Sequence, residues 1–435
     1  MSTVTKSRFF ATAFPIILAN IAVPIIGLVD TAVIGQLDSP ILLAAVGMGA
    51  TFLTGIYHLF NFLTTGISAF TSQARGKSDG DEVLIIGLRG MLLGLFIGFS
   101  IFIIHKPIFY GIFLISPADP AVNEAAMNYI SIRVFAAPFA LANFAFMGWL
   151  LAMERNSLVI IIQLIVTASN IILDLLFVLN LDLGISGVAA ASAISETIGF
   201  IVGLIFCRKI IKKELILNTK VLFHFSSWAR ILRVNSDIFL RTLLLECVAI
   251  SYIVIGSMLG TLSQAANQIL YQFLSLSSYA LDGFAFSSQV FIGISVGKRD
   301  VSGLRRASEM GLKYGLCGGL IITTLFLAFG DELINLMTVS ASVREEANRF
   351  LFLVAITPLT GVASWIFDGI FLGALETKKL RRAMLESVIF YFVIISLTVP
   401  IIGNYGLWIS VSGLFICRAL TLMVRYKSLE NSLIE

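Results

Sequence analysis

Four polar residues stand out in a chain otherwise rich in hydrocarbon side chains: Asp30 in GLVDTAVIGQLD, Asn170 and Asp174 in ASNIILDLLFVLN, and Ser192 in AASAISE. A carboxylate in hydrocarbon costs roughly 2.5 to 3.5 kcal/mol on insertion scales, so it turns inward and finds a partner. Two carboxylates in one low-dielectric pocket cannot both ionise comfortably. One holds a proton near neutral pH unless a cation neutralises the pair. Such a pocket takes up a proton, or a sodium ion ligated by several oxygens, which Asp174, Asn170 and Ser192 can supply.

The elements that must position these groups are membrane helices. The chain has 435 residues, of which 58% are hydrophobic and 13% charged, and its mean hydropathy is +0.95. Its apolar runs match the roughly 20 residues that a helix needs to cross about 30 Å of hydrocarbon, and they lack the short alternation of a membrane barrel. Twelve spans fit, at 9–36, 42–71, 83–105, 122–153, 157–181, 185–208, 234–259, 263–296, 302–330, 343–374, 383–402 and 405–426. The first run, although preceded by Lys6 and Arg8, is too long for a leader and lacks a small-residue cleavage pattern, so it is taken as a retained span.

At about 1.5 Å rise per residue, Asp30, Asp174 and Ser192 all fall roughly 10 Å below the outer surface. Asn170 lies one turn deeper than Asp174 on the same face, and Glu196 one turn below Ser192. Pro15 and Pro24 precede Asp30 in its own span. Each removes a backbone hydrogen bond and crowds the preceding turn, which gives either a hinge or a static kink.

Lys and Arg collect in every second connection, as in ARGKSDGDE, CRKIIKKELILNTK, GKRDVSGLRR and KKLRR. By the positive-inside rule these loops and both termini are cytoplasmic. Basic residues confined to helix ends argue against nucleic acid as a partner. The four cysteines lack CxxC spacing, the three histidines form no ligand cluster, and GISVGK is one residue short of a phosphate loop. No cofactor and no enzymatic motif is expected.

The longest basic connection falls near the middle, which divides the chain into an N-terminal lobe (1–208), a cytoplasmic linker (209–233) and a C-terminal lobe (234–435). A shift of 221 aligns Gly76-Lys77 with Gly297-Lys298 and Asp79 with Asp300; later a shift of 220 aligns Pro138 with Pro358, and 219 aligns Gly184 with Gly403. Two repeats of six spans each share one orientation and leave a cleft between them, an architecture suited to alternating access. Asp30 then faces Ser251, and Asn170 and Asp174 face positions near Phe390 and Ile394, so the acidic chemistry belongs to the first repeat. A purely structural reading pairs an intramembrane acid with Arg133 or Arg418. Glu196, Glu246, Asp282 and Asp368 could equally face water or cap a broken helix.

VPIIGLVDTAVIGQLDSP, ASNIILDLLFVLNLDLGISGVAAASAISE and LDGFAFSSQVFIGISVGK together resemble the multidrug and toxic compound extrusion (MATE) family, in its DinF-like branch. The resemblance covers essentially the whole chain. It implies an all-α integral membrane fold of twelve transmembrane helices in two pseudo-symmetric six-helix lobes around a central cleft. It further implies efflux of organic, often cationic or amphipathic compounds in exchange for inward H⁺ or Na⁺, by a monomer in the bacterial inner membrane. Asp30 matches the family's coupling carboxylate on helix 1, Asn170 and Asp174 its helix 5 pair, and Ser192 a helix 6 hydroxyl that is often threonine. Pro15 matches the helix 1 proline, and Tyr129 matches an aromatic hydroxyl lining the same pocket. The competing expectation is a lipid-linked oligosaccharide flippase of the related superfamily, in which Arg133, Arg241 and Arg418 would hold a pyrophosphate.

Overall fold

The computed structural model describes residues 4–35, 39–114, 119–211 and 219–434, without the side chains of 21–32, 34–35, 40, 209–211, 219–220, 432 and 434. Every regular element among the described residues is helical, as hydrocarbon demands: a helix satisfies its own backbone, and lipid offers no other partner. The helices are α1 (Lys6–Gly35), α2 (Pro40–Leu59 and Phe62–Gly76), α3 (Gly80–Leu114) and α4 (Pro120–Arg133 and Ala137–Ala152). Next come α5 (Asn156–Asp174, extended by a π-helical turn Leu175–Asn180), α6 (Gly184–Ile211), α7 (Phe225–Met258), α8 (Thr261–Gly297) and α9 (Val301–Met337). The last are α10 (Ala341–Ala355 and Thr357–Gly373), α11 (Thr377–Ile402) and α12 (Asn404–Ile434).

Among the described residues ten of these, α2 to α9, α11 and α12, are long and apolar enough to cross a membrane, or eleven if α10, bent by 44°, counts as one span. Their starts are chemically marked. Pro40 and Pro120 sit in first turns, where the missing N–H costs nothing, and the side chains of Ser39, Asp119 and Asp300 accept from the N–H groups of Leu42, Ala121 and Gly303. Large apolar side chains such as Phe96, Ile201, Leu320 and Met423 stay exposed, as they would against lipid.

The chain folds as two compact units, a first one of Leu18–Ile231 and a second one of Leu232–Glu435 with Met1–Ile17. The backbone repeats the sequence shift. Positive φ recurs at Ser78 and Arg299, at Glu154 and Leu375, and at Asp182 and Gly403, every pair related by the shift of 221. Packing repeats as well. A Cβ on Gly148 of α4 would strike the Thr64 carbonyl of α2, and one on Gly369 of α10 would strike the Ala285 carbonyl of α8. Only glycine allows backbones to approach so closely. Because the same shift holds through the start of α5 and α11, the counterparts of Asn170 and Asp174 are Tyr391 and Ile395 rather than Phe390 and Ile394.

Both α1 and α7 begin in one unit and end in the other. In α1 the division falls two residues after Pro15. The start of α1 packs on α8: Ser287 donates to the Phe9 carbonyl at 2.8 Å, Phe9 stacks on Phe291, and the Arg8 guanidinium lies 5.5 Å from the centre of the same ring. The start of α7 repeats this arrangement, with Arg230 5.6 Å from the ring centre of Phe70, the counterpart of Phe291 in the first repeat. In the expected linker 209–233, α7 already begins at Phe225, well before 234, and a short helix Thr219–Leu222 precedes it. Buried Arg89 of α3 donates to the carbonyls of Leu222 and Val221 at 3.1 and 2.6 Å, and Trp228 donates to Leu222 at 2.9 Å. These donors satisfy the orphan carbonyls of that helix end.

A candidate cation site in the first unit

Two of the predicted residues, Asn170 and Ser192, come together with Asp174 one turn along α5, so it is Asn170 rather than Asp174 that lies level with Ser192. Asn170, Asp174 and Ser192 are 0%, 0% and 2% exposed, and the Asn170 side-chain amide donates to the Ser192 hydroxyl at 3.1 Å. That bond fixes the register of α5 against α6. Asp174 closes the regular part of α5, and the π-helical turn starts at the next residue. Such turns widen the helix locally and are frequent at functional sites. The Asn170 carbonyl oxygen, fully buried, accepts no hydrogen bond among the described residues. Buried acceptors are almost always satisfied, so this oxygen is suited to a cation or to a further donor.

Asp30 and Pro24 belong to α1 by their backbone, but their side chains lie outside the described residues. Pro15 is half-buried within the same helix.

One turn from Ser192 on α6, Glu196 forms an ion pair with Arg133 of α4 at 2.7 Å, and the Asn143 amide donates to the Glu196 backbone carbonyl at 3.1 Å. Tyr129, 1% exposed, lies one turn from Arg133, and Tyr57 of α2 is an electrostatic neighbour of all three. The Arg133 available to Asp30 or Asp174 in the structural reading is thus engaged by Glu196. Arg418 is likewise engaged elsewhere: with Arg241 it flanks Asp368, the Arg418–Asp368 distance being 3.0 Å.

The second unit handles its buried polar groups differently. The Asn267 and Asn404 amides bond reciprocally at 2.8 and 2.9 Å, and the Trp408 indole and Tyr252 hydroxyl donate to Asn267 at 3.0 and 3.1 Å. Ser251 and Tyr391, the counterparts of Asp30 and Asn170, are hydrogen-bonded to each other at 3.1 Å. Ile395, the counterpart of Asp174, is a buried hydrocarbon.

A helical fold built from two like repeats accords with the family model that fits the chain, MatE, at residues 15–176 and 238–405. The chain belongs to the MatE family. It is 33% identical to DNA damage-inducible protein F of Escherichia coli (strain K12) over 97% of this chain and 92% of that one. It is 24% identical to the multidrug resistance protein NorM of Photobacterium profundum, covering 92% of this chain and 91% of that one. A solved structure described as the outward-facing conformation of a multidrug resistance MATE family transporter superimposes with TM-score 0.89, at 18% identity, over 98% of this chain and 96% of that one. MatE proteins are multi-pass membrane transporters rather than enzymes, and this chain shares their two-lobe helical fold.

Within this MatE chain, sequence reasoning left three features unassigned. It did not join Arg133 to Glu196, although each lies four residues beyond a residue already singled out. It did not see Arg89 as the clamp on 219–222, since a lone arginine in an apolar run carries no partner in its spacing. Tyr57 sits mid-span among aromatics that pack, and nothing local distinguishes it.

Proposed function

We propose that the chain is a secondary active exporter of organic, often cationic or amphipathic compounds, driven by inward movement of H⁺ or Na⁺ through a site formed by Asp30, Asn170, Asp174 and Ser192. The observation that carries this reading is the fully buried Asn170–Ser192 bond beside Asp174, in a chain whose relatives include multidrug resistance proteins. The Asn170 carbonyl oxygen, buried with no hydrogen-bond donor among the described residues, supplies a ligand when a metal cation occupies the site.

In the cycle, the cation enters from outside and neutralises Asp30 or Asp174, which removes the main cost of bringing the two carboxylates together. α1 bends near Pro15, where its hydrogen-bond ladder is already interrupted, the pocket contracts, and the organic cargo leaves outward. Inward opening discharges the coupling cation. The basic connections put both termini in the cytoplasm of a bacterium, with the protein in the inner membrane as a monomer, and the moving bodies are the lobes 1–208 and 234–435 on either side of the 209–233 linker. The flippase alternative needs guanidinium groups available to a pyrophosphate, whereas Arg133, Arg241 and Arg418 are each ion-paired.

The test is reconstitution into liposomes with an inward pH gradient and an inward sodium gradient imposed separately, following efflux of a fluorescent organic cation. Efflux on at least one gradient is expected. Efflux on neither, together with binding of a lipid pyrophosphate, would replace this reading with the flippase one.

A further inference from the structure

We propose that Arg133 is a positioning residue that seals the inner side of the cation site, so that a cation at Asp174 cannot leak onward through the first unit. This rests on the proposed function and adds to it a reason why uptake stays coupled to the conformational cycle.

The geometry is a stack of layers. Asp174 and Asn170 are successive turns of α5, and the Asn170–Ser192 bond sets the antiparallel α6 so that Glu196 lies one further turn away from Asp174. A lone carboxylate there would be a second station about two helical turns, roughly 11 Å, beyond Asp174, which a cation could reach by way of the Asn170–Ser192 level. Arg133 occupies that station at 2.7 Å with a group that never loses its charge in a protein. Its charge has the same sign as the coupling cation, as in pores where a fixed arginine excludes protons and cations.

The surroundings hold the pair in place, with 14% of the Arg133 and 20% of the Glu196 side chain still exposed. Asn143 ties α4 to the Glu196 backbone. Tyr129 and Tyr57 are 1% and 6% exposed, and the Tyr57 hydroxyl has no hydrogen-bond partner among the described residues. Among the described residues Tyr57 and Tyr129 are titratable groups beside the pair on α2 and α4, and neither phenol offers a cation a carboxylate foothold.

The experiment compares Arg133→Gln, Arg133→Lys and Glu196→Gln in proteoliposomes, measuring proton and sodium entry with no organic cargo present, and cargo efflux separately. Arg133→Gln is expected to raise cargo-free cation entry at least tenfold, and Arg133→Lys to restore the wild-type barrier. Glu196→Gln, which leaves the positive charge unopposed, is expected to show no added leak but a raised apparent KM for the coupling cation. A pair that merely fastens α4 to α6 predicts that losing either partner loosens the lobe equally, so leakage in Glu196→Gln overturns the proposal. Tight membranes in Arg133→Gln overturn it as well. Should Arg133→Gln fail to fold, the Glu196→Gln and Arg133→Lys measurements decide by the same criteria. The leak readout does not depend on cargo transport, so absent efflux in the wild type counts against the proposed function alone.

Discussion

At the scale of single residues, each unit holds buried ionisable groups, and their consequences can be separated by substitution. Asp368 lies between two arginines, one of them 1% exposed. Removing the acid leaves buried guanidinium charge uncompensated, which in comparable cases costs about 3–5 kcal/mol. Asp368→Asn is therefore expected to lower the thermal midpoint in detergent markedly. Asp174→Asn is expected to leave that midpoint unchanged or raised, because under the proposed function its carboxylate serves transport, while cargo efflux falls at least tenfold. The acids and the amide of this site were legible in the sequence because charge and amide are rare in hydrocarbon. Their relation to the arginines was not. Arg133, Glu196, Arg418 and Asp368 are partners across different helices, and the pairing depends on helix rotation, which a pattern of apolar residues fixes only coarsely.

At the scale of elements, helices in lipid are easy to find and hard to delimit, since composition marks hydrocarbon but not hydrogen bonding. The breaks at Phe60–Asn61, at Val134–Ala136 and at Ile356 fall inside runs that look continuous, and α7 extends back to Phe225 because Trp228 and Ile231 pack although basic residues surround them. Two expectations belong to this level. Replacing Gly148 with Leu forces a side chain into the Thr64 carbonyl, and overpacking of this kind costs about 1–3 kcal/mol; Gly369→Leu, at the equivalent crossing, should lower the midpoint similarly. The second concerns the cap of α9. Hydrogen bonds from the Gly303 N–H and the Ser302 hydroxyl hold the Asp300 carboxyl below its ordinary value. A lowered folded value means that the cap is fully present above the unfolded value, about 3.9, and is lost as pH falls through the folded one. Asp300→Ala should cost about 1 kcal/mol at pH 7, and the gap from wild type should close in melting curves recorded at progressively lower pH.

At the scale of the whole molecule, the internal repeat was visible in scattered glycines and lysines, and the backbone reproduces it at three pairs of positive-φ positions. The exchange of helix starts was not visible, because Arg8 and Arg230 look like any other basic residues at a membrane surface until Phe291 and Phe70 are seen beneath them. Since α1 is shared between the units and its division lies beside Pro15, Pro15→Ala is expected to reduce efflux without reducing stability, as restoring the helical hydrogen bond stiffens the segment that must bend. The central claim, that one lobe alone carries the coupling cation, is tested most directly by gradient-driven efflux from proteoliposomes containing wild type, Asp30→Asn, Asp174→Asn or Ser251→Ala, each folded by size-exclusion profile. Efflux lost in both aspartate variants and retained in Ser251→Ala is the predicted result. Wild-type efflux in Asp30→Asn or Asp174→Asn would contradict it.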